Sequence, residues 1–268
     1  MTGVIFYQGP SRIDGSPIVG IATWGSANEK TGNLVQTWII RSDMHPQEAI
    51  DTGADSAVCG NCPLRGVIRP ASERTHKGVI ATETVNKGRG CYVIVGQAPA
   101  AVYRTFKAGK YPVLSKEHGR KFLGRGLRYG SYGDPVAIPL QNWKLLEKLC
   151  TGKAAPGYTH QWRNTRFKAW SKKLMASTHT EADCIEAGAM GWRTFRTILA
   201  LTDKTKTEIV CPASKEADYK ATCATCGACN GRKEMEDGRR SVVIVAHGSG
   251  KAGLVETAVK GRTPLALV

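Results

Sequence analysis

The stretch LMASTHTEADCIEAGAMGWRTFRTIL, residues 174–199, decides the fold class of this chain. Residues 174–178 favour an extended strand, and residues 180–190 carry apolar side chains at helical spacing before Gly191, a typical helix cap. Residues 192–199 then alternate in the manner of a second strand. A strand, a helix and a strand of these lengths predict two parallel strands joined by a crossover.

The same succession of strands and helices extends in both directions from this unit. SVVIVAH at 241–247 is the clearest buried strand, and GLRYGSYG at 126–133 predicts another. Further extended segments are predicted at 157–160 and 208–210, and further helices at 140–149 and 164–172. This count predicts an α/β fold with parallel strands, arranged as a TIM-barrel-like or partial barrel.

The N-terminal part has a different pattern. Three β-rich runs at 4–7, 18–24 and 34–41 are separated by turn residues, which predicts a small antiparallel meander. Pro46 then begins a short predicted helix. We therefore expect an antiparallel β segment over residues 1–50 and a metal-binding barrel-like domain over residues 51–268. Residues 51–90 have little apolar periodicity and are predicted to form a long functional loop.

Seven of the nine cysteines fall into two groups. Cys59, Cys62 and Cys91 form the three-cysteine group, and Cys211, Cys223, Cys226 and Cys229 form the four-cysteine group. Thiolates are strong ligands for zinc and iron, and a C-x2-C-x2-C run is a spacing found in iron–sulfur proteins. Disulfides are the alternative, but nine is an odd number and no N-terminal secretory segment is visible. Cys150 and Cys184 are predicted to be small buried residues.

The chain carries a formal net charge of +16, which favours a polyanionic partner such as nucleic acid. Three stretches of the chain are rich in basic residues. The first runs from Arg104 to Arg128, and the third follows Cys229, the last cysteine. A second, over residues 163–173, is interleaved with aromatic side chains, namely Trp162, Phe167 and Trp170. These rings are predicted either to stack on unpaired bases or to pack in the core. No apolar run is long enough to span a membrane, so we expect a cytoplasmic location.

Polar side chains follow several of the predicted strands. Because the carboxyl ends of parallel strands meet on one rim, the candidate catalytic residues are Asp134, His160 and His179. Tyr158, Ser177 and His247 share this rim. Asp134 could act as a base or hold a metal-bound water, or it could cap the turn before Pro135. One histidine could complete a Cys3His zinc site with the three-cysteine group.

Several segments together resemble an uncharacterised group of phage cysteine-rich proteins. They are RGCYVIVGQAP at 89–99, LRYGSYGDP at 127–135, GYTHQW at 157–162, LMASTHTEADCIEAGAMGWRTFR at 174–196 and CATCGACNG at 223–231. That group is in turn similar to a degenerate radical-SAM barrel. The resemblance covers roughly the last two thirds of the chain.

The resemblance implies a [4Fe–4S] cluster on the three-cysteine group and a second cluster on the four-cysteine group. The usual first motif, C-x3-C-x2-C in one loop, is absent, because Cys91 lies far downstream of Cys62. This departure counts against S-adenosylmethionine as a cofactor. Whether the chain is an enzyme stays open at this point. One hypothesis is an iron–sulfur protein acting on nucleic acid or nucleotides, located in the host cytoplasm if phage-encoded. The other is a zinc-stabilised DNA-binding or replication protein, possibly a replication initiator, without redox chemistry.

Overall fold

The computed structural model of the protein describes residues 2–25, 28–69, 75–76, 79–80, 85–87, 89–233, 237–247 and 251–254. Its strands are β1 (Gly3–Pro10), β2 (Pro17–Thr23), β3 (Val35–Arg41), β4 (Val67–Arg69), β5 (Thr75–His76), β6 (Val79–Ile80), β7 (Val85–Lys87), β8 (Leu127–Tyr132), β9 (Tyr158–Thr159), β10 (Met175–Thr178), β11 (Thr194–Ile198), β12 (Glu208–Val210) and β13 (Ser241–Val245). Its helices are α1 (Pro46–Thr52), α2 (Ser56–Cys59), α3 (Ala98–Lys107), α4 (Gly119–Phe122), α5 (Lys144–Leu149), α6 (Glu181–Ala189), α7 (Cys223–Cys226) and α8 (Lys251–Leu254). Short 3₁₀ helices cover residues 29–31, 63–65, 116–118, 135–137, 140–143, 165–172, 201–203 and 215–217.

The predicted strand–helix–strand unit is confirmed. Strand β10, helix α6 and strand β11 follow one another, and β10 pairs with β11 in parallel. Helix α6 begins at a capping box in which Thr180 Oγ1 accepts from the Asp183 backbone N–H at 3.1 Å and an Asp183 carboxylate oxygen accepts from the Thr180 N–H. Gly191 follows the helix with φ of 76°, a conformation that glycine adopts without strain.

The main sheet is parallel throughout and has the order β12-β13-β11-β10-β9. The α/β class with parallel strands is therefore confirmed. Strand β13 lies between β11 and β12, so the strand order differs from the sequential order of a TIM barrel. Every residue from Val242 to Ile244 is buried, as expected for a central strand covered on both faces. The barrel or partial barrel stays a prediction.

The N-terminal meander is also confirmed. Strands β1, β2 and β3 are antiparallel neighbours, and β3 then pairs in parallel with β8. On its other side β8 runs beside the segment before β9, where the backbone N–H of Tyr129 donates to the Pro156 carbonyl at 2.9 Å. The N-terminal strands therefore lie in hydrogen-bonded continuity with the strands of the later part of the chain. The division at residue 50 stays a prediction.

One large hydrophobic cluster joins the two parts of the chain. It contains residues of β1–β3 together with Trp143, Trp162, Phe167 and Trp170. Each of these four rings is less than 5 % exposed. Trp162, Phe167 and Trp170 are therefore core residues, and their predicted stacking on unpaired bases is wrong. The 3₁₀ helix at 165–172 directs its aromatic side chains inward and its basic side chains outward.

Among the residues described, every helix is too short or too polar to cross a lipid bilayer.

Candidate active-site cavity

A cavity of about 450 Å³ lies at the carboxyl ends of the parallel strands. All seven grouped cysteines line it, the three-cysteine group together with the four-cysteine group. Asp134, Tyr158, His160, Ser177 and His247, which follow or end predicted strands, also line it. His179 does not line the cavity but contacts His160. The strand-end rule thus places most of the predicted site residues around one space.

The three-cysteine group is assembled by short-range backbone contacts. Cys59 ends α2, and the Cys62 N–H donates to the Cys59 carbonyl at 3.2 Å. The chain then returns, since the Cys91 N–H donates to the Leu64 carbonyl at 3.1 Å. Strands β4 and β7 pair with each other within this excursion. The Gln161 side chain also donates to the Cys59 carbonyl, at 3.2 Å, and fixes the loop against the end of β9. The excursion between Cys62 and Cys91 therefore begins and ends at one place.

Burial raises the pKa of both Cys59 and Cys62, and the neighbouring Cys91 thiol raises that of Cys62 further. Arg89 opposes this effect at both thiols. The Arg89 Nη1 atom lies 3.6 Å from Asp55 Oδ2, whereas Arg65 donates to the other oxygen, Oδ1, at 2.6 Å. Both Arg89 Nη atoms are buried without a hydrogen-bond acceptor among the described residues. The loop therefore places a buried cation beside the thiols.

His160 and His179 form a stacked pair at the same end of the sheet. Their Nε2 atoms are 3.2 Å apart and their rings are 14° from parallel. The His160 Nε2 atom also lies 3.8 Å from the Cys62 sulfur. Burial lowers the pKa of His160 to about 3 and that of His179 to about 4, so both rings are neutral at physiological pH. A neutral imidazole beside a thiol is the form that binds a metal ion.

Asp134 joins the ends of two strands. One carboxylate oxygen accepts from Thr159 Oγ1 at 2.9 Å and from the His160 N–H at 3.0 Å, and the other accepts from the Val136 N–H at 3.2 Å. The last bond caps the helix at 135–137, so the predicted capping role is confirmed. Burial raises the pKa of Asp134 to about 6, although these hydrogen bonds oppose the shift. Asp134 thus positions His160 through its backbone.

The four-cysteine group is held in place by two side chains, those of Arg193 and Asn230. Cys211 follows β12, and its N–H donates to the Val243 carbonyl at 2.8 Å. The Arg193 guanidinium donates to the carbonyls of Ala228, at 2.9 Å, and Asn230, at 2.7 Å, which flank Cys229. The Asn230 side chain in turn accepts from the Ala155 N–H at 2.8 Å. These bonds tie the loop that carries Cys229 to strand β11 and to the chain before β9.

The four thiols of this group are mutual neighbours. Burial raises the pKa of Cys229 to about 12, and the thiols of Cys211, Cys223 and Cys226 add to that effect. Burial also raises the pKa of Cys223, whereas Arg128 and Lys30 lower it. The thiols of Cys211, Cys223 and Cys229 therefore stay protonated at neutral pH unless a cation displaces their protons.

All nine cysteines are free thiols. Across residues 2–254, apart from the gaps given above, no group of three or more His, Cys, Asp or Glu side chains is arranged to hold a metal ion. The two groups border one cavity without forming a finished coordination site. Metal binding by either group stays a prediction.

The three basic stretches differ in how they are used. The first is exposed at Arg104, Lys107, Lys110, Lys116, Arg120 and Lys121. In the second, Arg163 pairs with Asp183 and Glu186. In the third, Arg239 pairs with Asp237. The first stretch therefore presents six exposed cations with no carboxylate within 4.0 Å among the described residues, and the second adds Arg166, Lys168 and Lys172.

Sequence patterns missed three charged or polar residues of the site. Arg128 lines the cavity, Arg193 holds the carbonyls around Cys229, and Gln161 holds the loop of Cys59. The alternation of β8 offered a signal for Arg128, because it places that residue on the opposite face from buried Leu127 and Tyr129.

No protein-family model, curated protein or solved structure matches the chain. The functional conclusion therefore rests on the cavity and its residues.

Proposed function

We propose that the protein is a cysteine-ligated iron–sulfur enzyme that acts on nucleic acid or nucleotides within this cavity, on a partial-barrel scaffold. The observation that carries the proposal is that all seven grouped cysteines and His160 line one space. The four-cysteine group would hold one centre. Cys59, Cys62 and Cys91 would hold the other, with His160 as the fourth ligand. An iron–sulfur cluster supplies one-electron chemistry when bound.

The residues present suit a thiolate-bound metal centre. Seven thiols are crowded at one cavity, and burial raises the pKa of several of them, which a metal ion would reverse. Arg89 beside the three-cysteine group would balance part of the negative charge of bound thiolates. His160 is neutral and lies near the Cys62 sulfur. Closing either site requires the thiols to move together around the ion.

Anaerobic purification of the full chain, followed by iron, sulfide and zinc analysis and a visible spectrum, tests the proposal. Iron with sulfide and a broad visible absorption band is the expected result. Zinc in place of iron would favour the second candidate, the zinc-stabilised nucleic-acid-binding protein. A purified protein that contains neither iron nor zinc would contradict both metal centres.

Replacing Cys91 with serine should remove about one centre's worth of metal and leave the other. The change deletes one of three thiolates, and the remaining ligands cannot complete a coordination shell. The measurement is metal per chain in anaerobically purified protein. Cys184→Ser is the matched control, because Cys184 lies outside the cavity. Its hydrogen-bond partner, Thr178 Oγ1 at 3.1 Å, can also form a hydrogen bond with a serine hydroxyl. Unchanged metal content in Cys91→Ser contradicts the three-cysteine centre.

The exposed cations of the first basic stretch support nucleic-acid binding in either candidate. Affinity for single- and double-stranded oligonucleotides should fall steeply with salt, because each neutralised phosphate releases counterions. Reversing the charge of Lys116, Arg120 and Lys121 together should flatten the salt slope. Binding is measured by fluorescence anisotropy between low and physiological salt. A flat response in the unaltered protein, or no binding at low salt, contradicts the idea.

A further inference from the structure

Arg128 is placed in the cavity by strand pairing. It is the cross-strand partner of Gln36 in the β3–β8 ladder. Its Nη1 donates to Gln36 Oε1 at 3.4 Å and its Nη2 donates to the Tyr92 hydroxyl at 3.0 Å. The Gln36 amide is itself fixed, because Ser131 Oγ donates to the same Oε1 at 2.7 Å and only 2 % of Gln36 is exposed. The guanidinium is therefore held in position by neutral groups.

Arg128 differs from most of the other inward-facing arginines of the fold. Arg193 also lacks a carboxylate partner among the described residues, but it donates to three backbone carbonyls instead. Arg65, Arg196 and Arg239 each contact a carboxylate at 2.5–2.6 Å. Within the described part of the chain, no carboxylate lies within 4.0 Å of Arg128. Asp134 is the carboxylate residue lining the cavity there, and both of its oxygens already accept hydrogen bonds. Because a buried cation is costly without a counter-charge, the cavity favours an anion beside Arg128.

Two further features of the lining define the chemistry of that anion. Lys30 and Lys251 also line the cavity, so three separate elements of the chain each contribute a cation to it. An aromatic wall is provided by Tyr158 and Phe195, whose ring centroids are 4.3 Å apart. A guanidinium binds the oxygens of a phosphate, and an aromatic wall accepts a planar base. The volume of about 450 Å³ is in the range of small-molecule sites.

We infer that the cavity binds a nucleotide, with Arg128 on its phosphate and the base against the Tyr158–Phe195 wall. The inference rests on the proposed function in that it names the substrate class of the same cavity. It differs from a purely electrostatic role, in which Arg128 balances the thiolates of the four-cysteine group. A nucleotide can come free or as one unit of a single strand, and the two sources share this chemistry.

The test compares the full-length protein with Arg128→Gln, and with Arg12→Gln as the control, because Arg12 is exposed and lies outside both the cavity and the basic stretches. Calorimetric titrations use nucleoside monophosphates, the same nucleosides without phosphate, and a short single-stranded oligonucleotide. Arg128→Gln should weaken binding of the monophosphates or of the oligonucleotide at least tenfold, because a charge-assisted hydrogen bond is lost. Nucleosides should bind the unaltered protein and Arg128→Gln equally weakly, and Arg12→Gln should match the unaltered protein for every ligand.

Metal content and melting temperature are measured on the same samples. Arg128→Lys keeps the charge without the planar fork and should show intermediate affinity, which tests the inference if the glutamine variant folds poorly. Equal affinity of all proteins for phosphate-bearing ligands overturns the inference, as does loss of metal with unchanged nucleotide binding. Arg128-dependent binding in a protein that holds no metal supports the nucleotide site and rejects the proposed metal centres instead.

Discussion

Replacing Arg196 with methionine should lower the free energy of unfolding by roughly 3–5 kcal/mol, the usual cost of breaking a buried ion pair from one side. Arg196 on β11 donates to Glu208 on β12 through Nε at 2.8 Å and through Nη2 at 2.6 Å. The two side chains are only 6 % and 3 % exposed. Strand β13 lies between β11 and β12, so the pair links two strands that share no ladder. Methionine would leave the Glu208 carboxylate buried without its counter-charge.

Urea denaturation of the two proteins measures this loss. Arg41→Met is the matched control, because Arg41 also binds its carboxylate, Asp43, through two nitrogens, but Asp43 is 45 % exposed. That variant should lose less than about 1 kcal/mol. The double variant Arg196→Met with Glu208→Leu should recover much of the loss, since no charge then remains buried. A loss below about 1 kcal/mol in Arg196→Met would show that the pair contributes little.

The pH dependence of the pair follows from the Glu208 carboxyl. Burial alone would raise its pKa, but hydrogen bonds from Arg196 and Thr205 hold it below the ordinary 4.5. A depressed carboxyl pKa contributes stability above the unfolded-state value and loses it as pH falls through the folded-state value. In Arg196→Met the burial of Glu208 is no longer opposed by Arg196, so its pKa rises. The stability gap between the unaltered protein and the variant should therefore be full only above that raised pKa, and it should narrow as pH falls toward the depressed pKa of the unaltered protein.

The elements of this fold were predictable because their patterns are local. The capping residues of α6 and the alternation on either side of it define β10, α6 and β11 from the sequence alone. The strand order was not predictable. The position of β13 between β11 and β12 depends on pairing between residues far apart in the chain, such as Phe195 with Val242, and no local pattern encodes it.

The candidate site divides in a similar way. Cysteine spacing and the strand-end rule brought the seven cysteines, Asp134 and His160 to one cavity. Gln161 and Arg193 escaped notice because their role is to donate to remote backbone carbonyls, which no spacing reveals. The aromatic residues of 162–170 were ambiguous, because basic side chains alternate with rings both on a binding face and on a helix that covers a core.

Replacing Cys226 with serine should remove one complete metal centre and lower the melting temperature by more than roughly 10 °C. This expectation rests on the four-cysteine centre proposed above. Structural zinc contributes about 10–16 kcal/mol of apparent binding free energy in zinc-finger peptides, and a protein of this size loses about 2–4 °C per kcal/mol. Losing even a few kcal/mol of this metal-binding free energy is enough to lower the melting temperature by that amount. Cys226 is half-buried, so the substitution itself disturbs little core packing.

Differential scanning calorimetry and metal analysis on one anaerobic sample separate metal loss from misfolding. Cys150→Ser is the control, because Cys150 is half-buried like Cys226 but lies outside the cavity. A strong chelator should lower the melting temperature of the unaltered protein to that of Cys226→Ser and leave the variant nearly unchanged. Metal loss in Cys91→Ser and Cys226→Ser should add when the two changes are combined, because the two groups are separate centres. If either single substitution removes all of the metal, the two cysteine groups form one shared centre and the two separate centres are rejected.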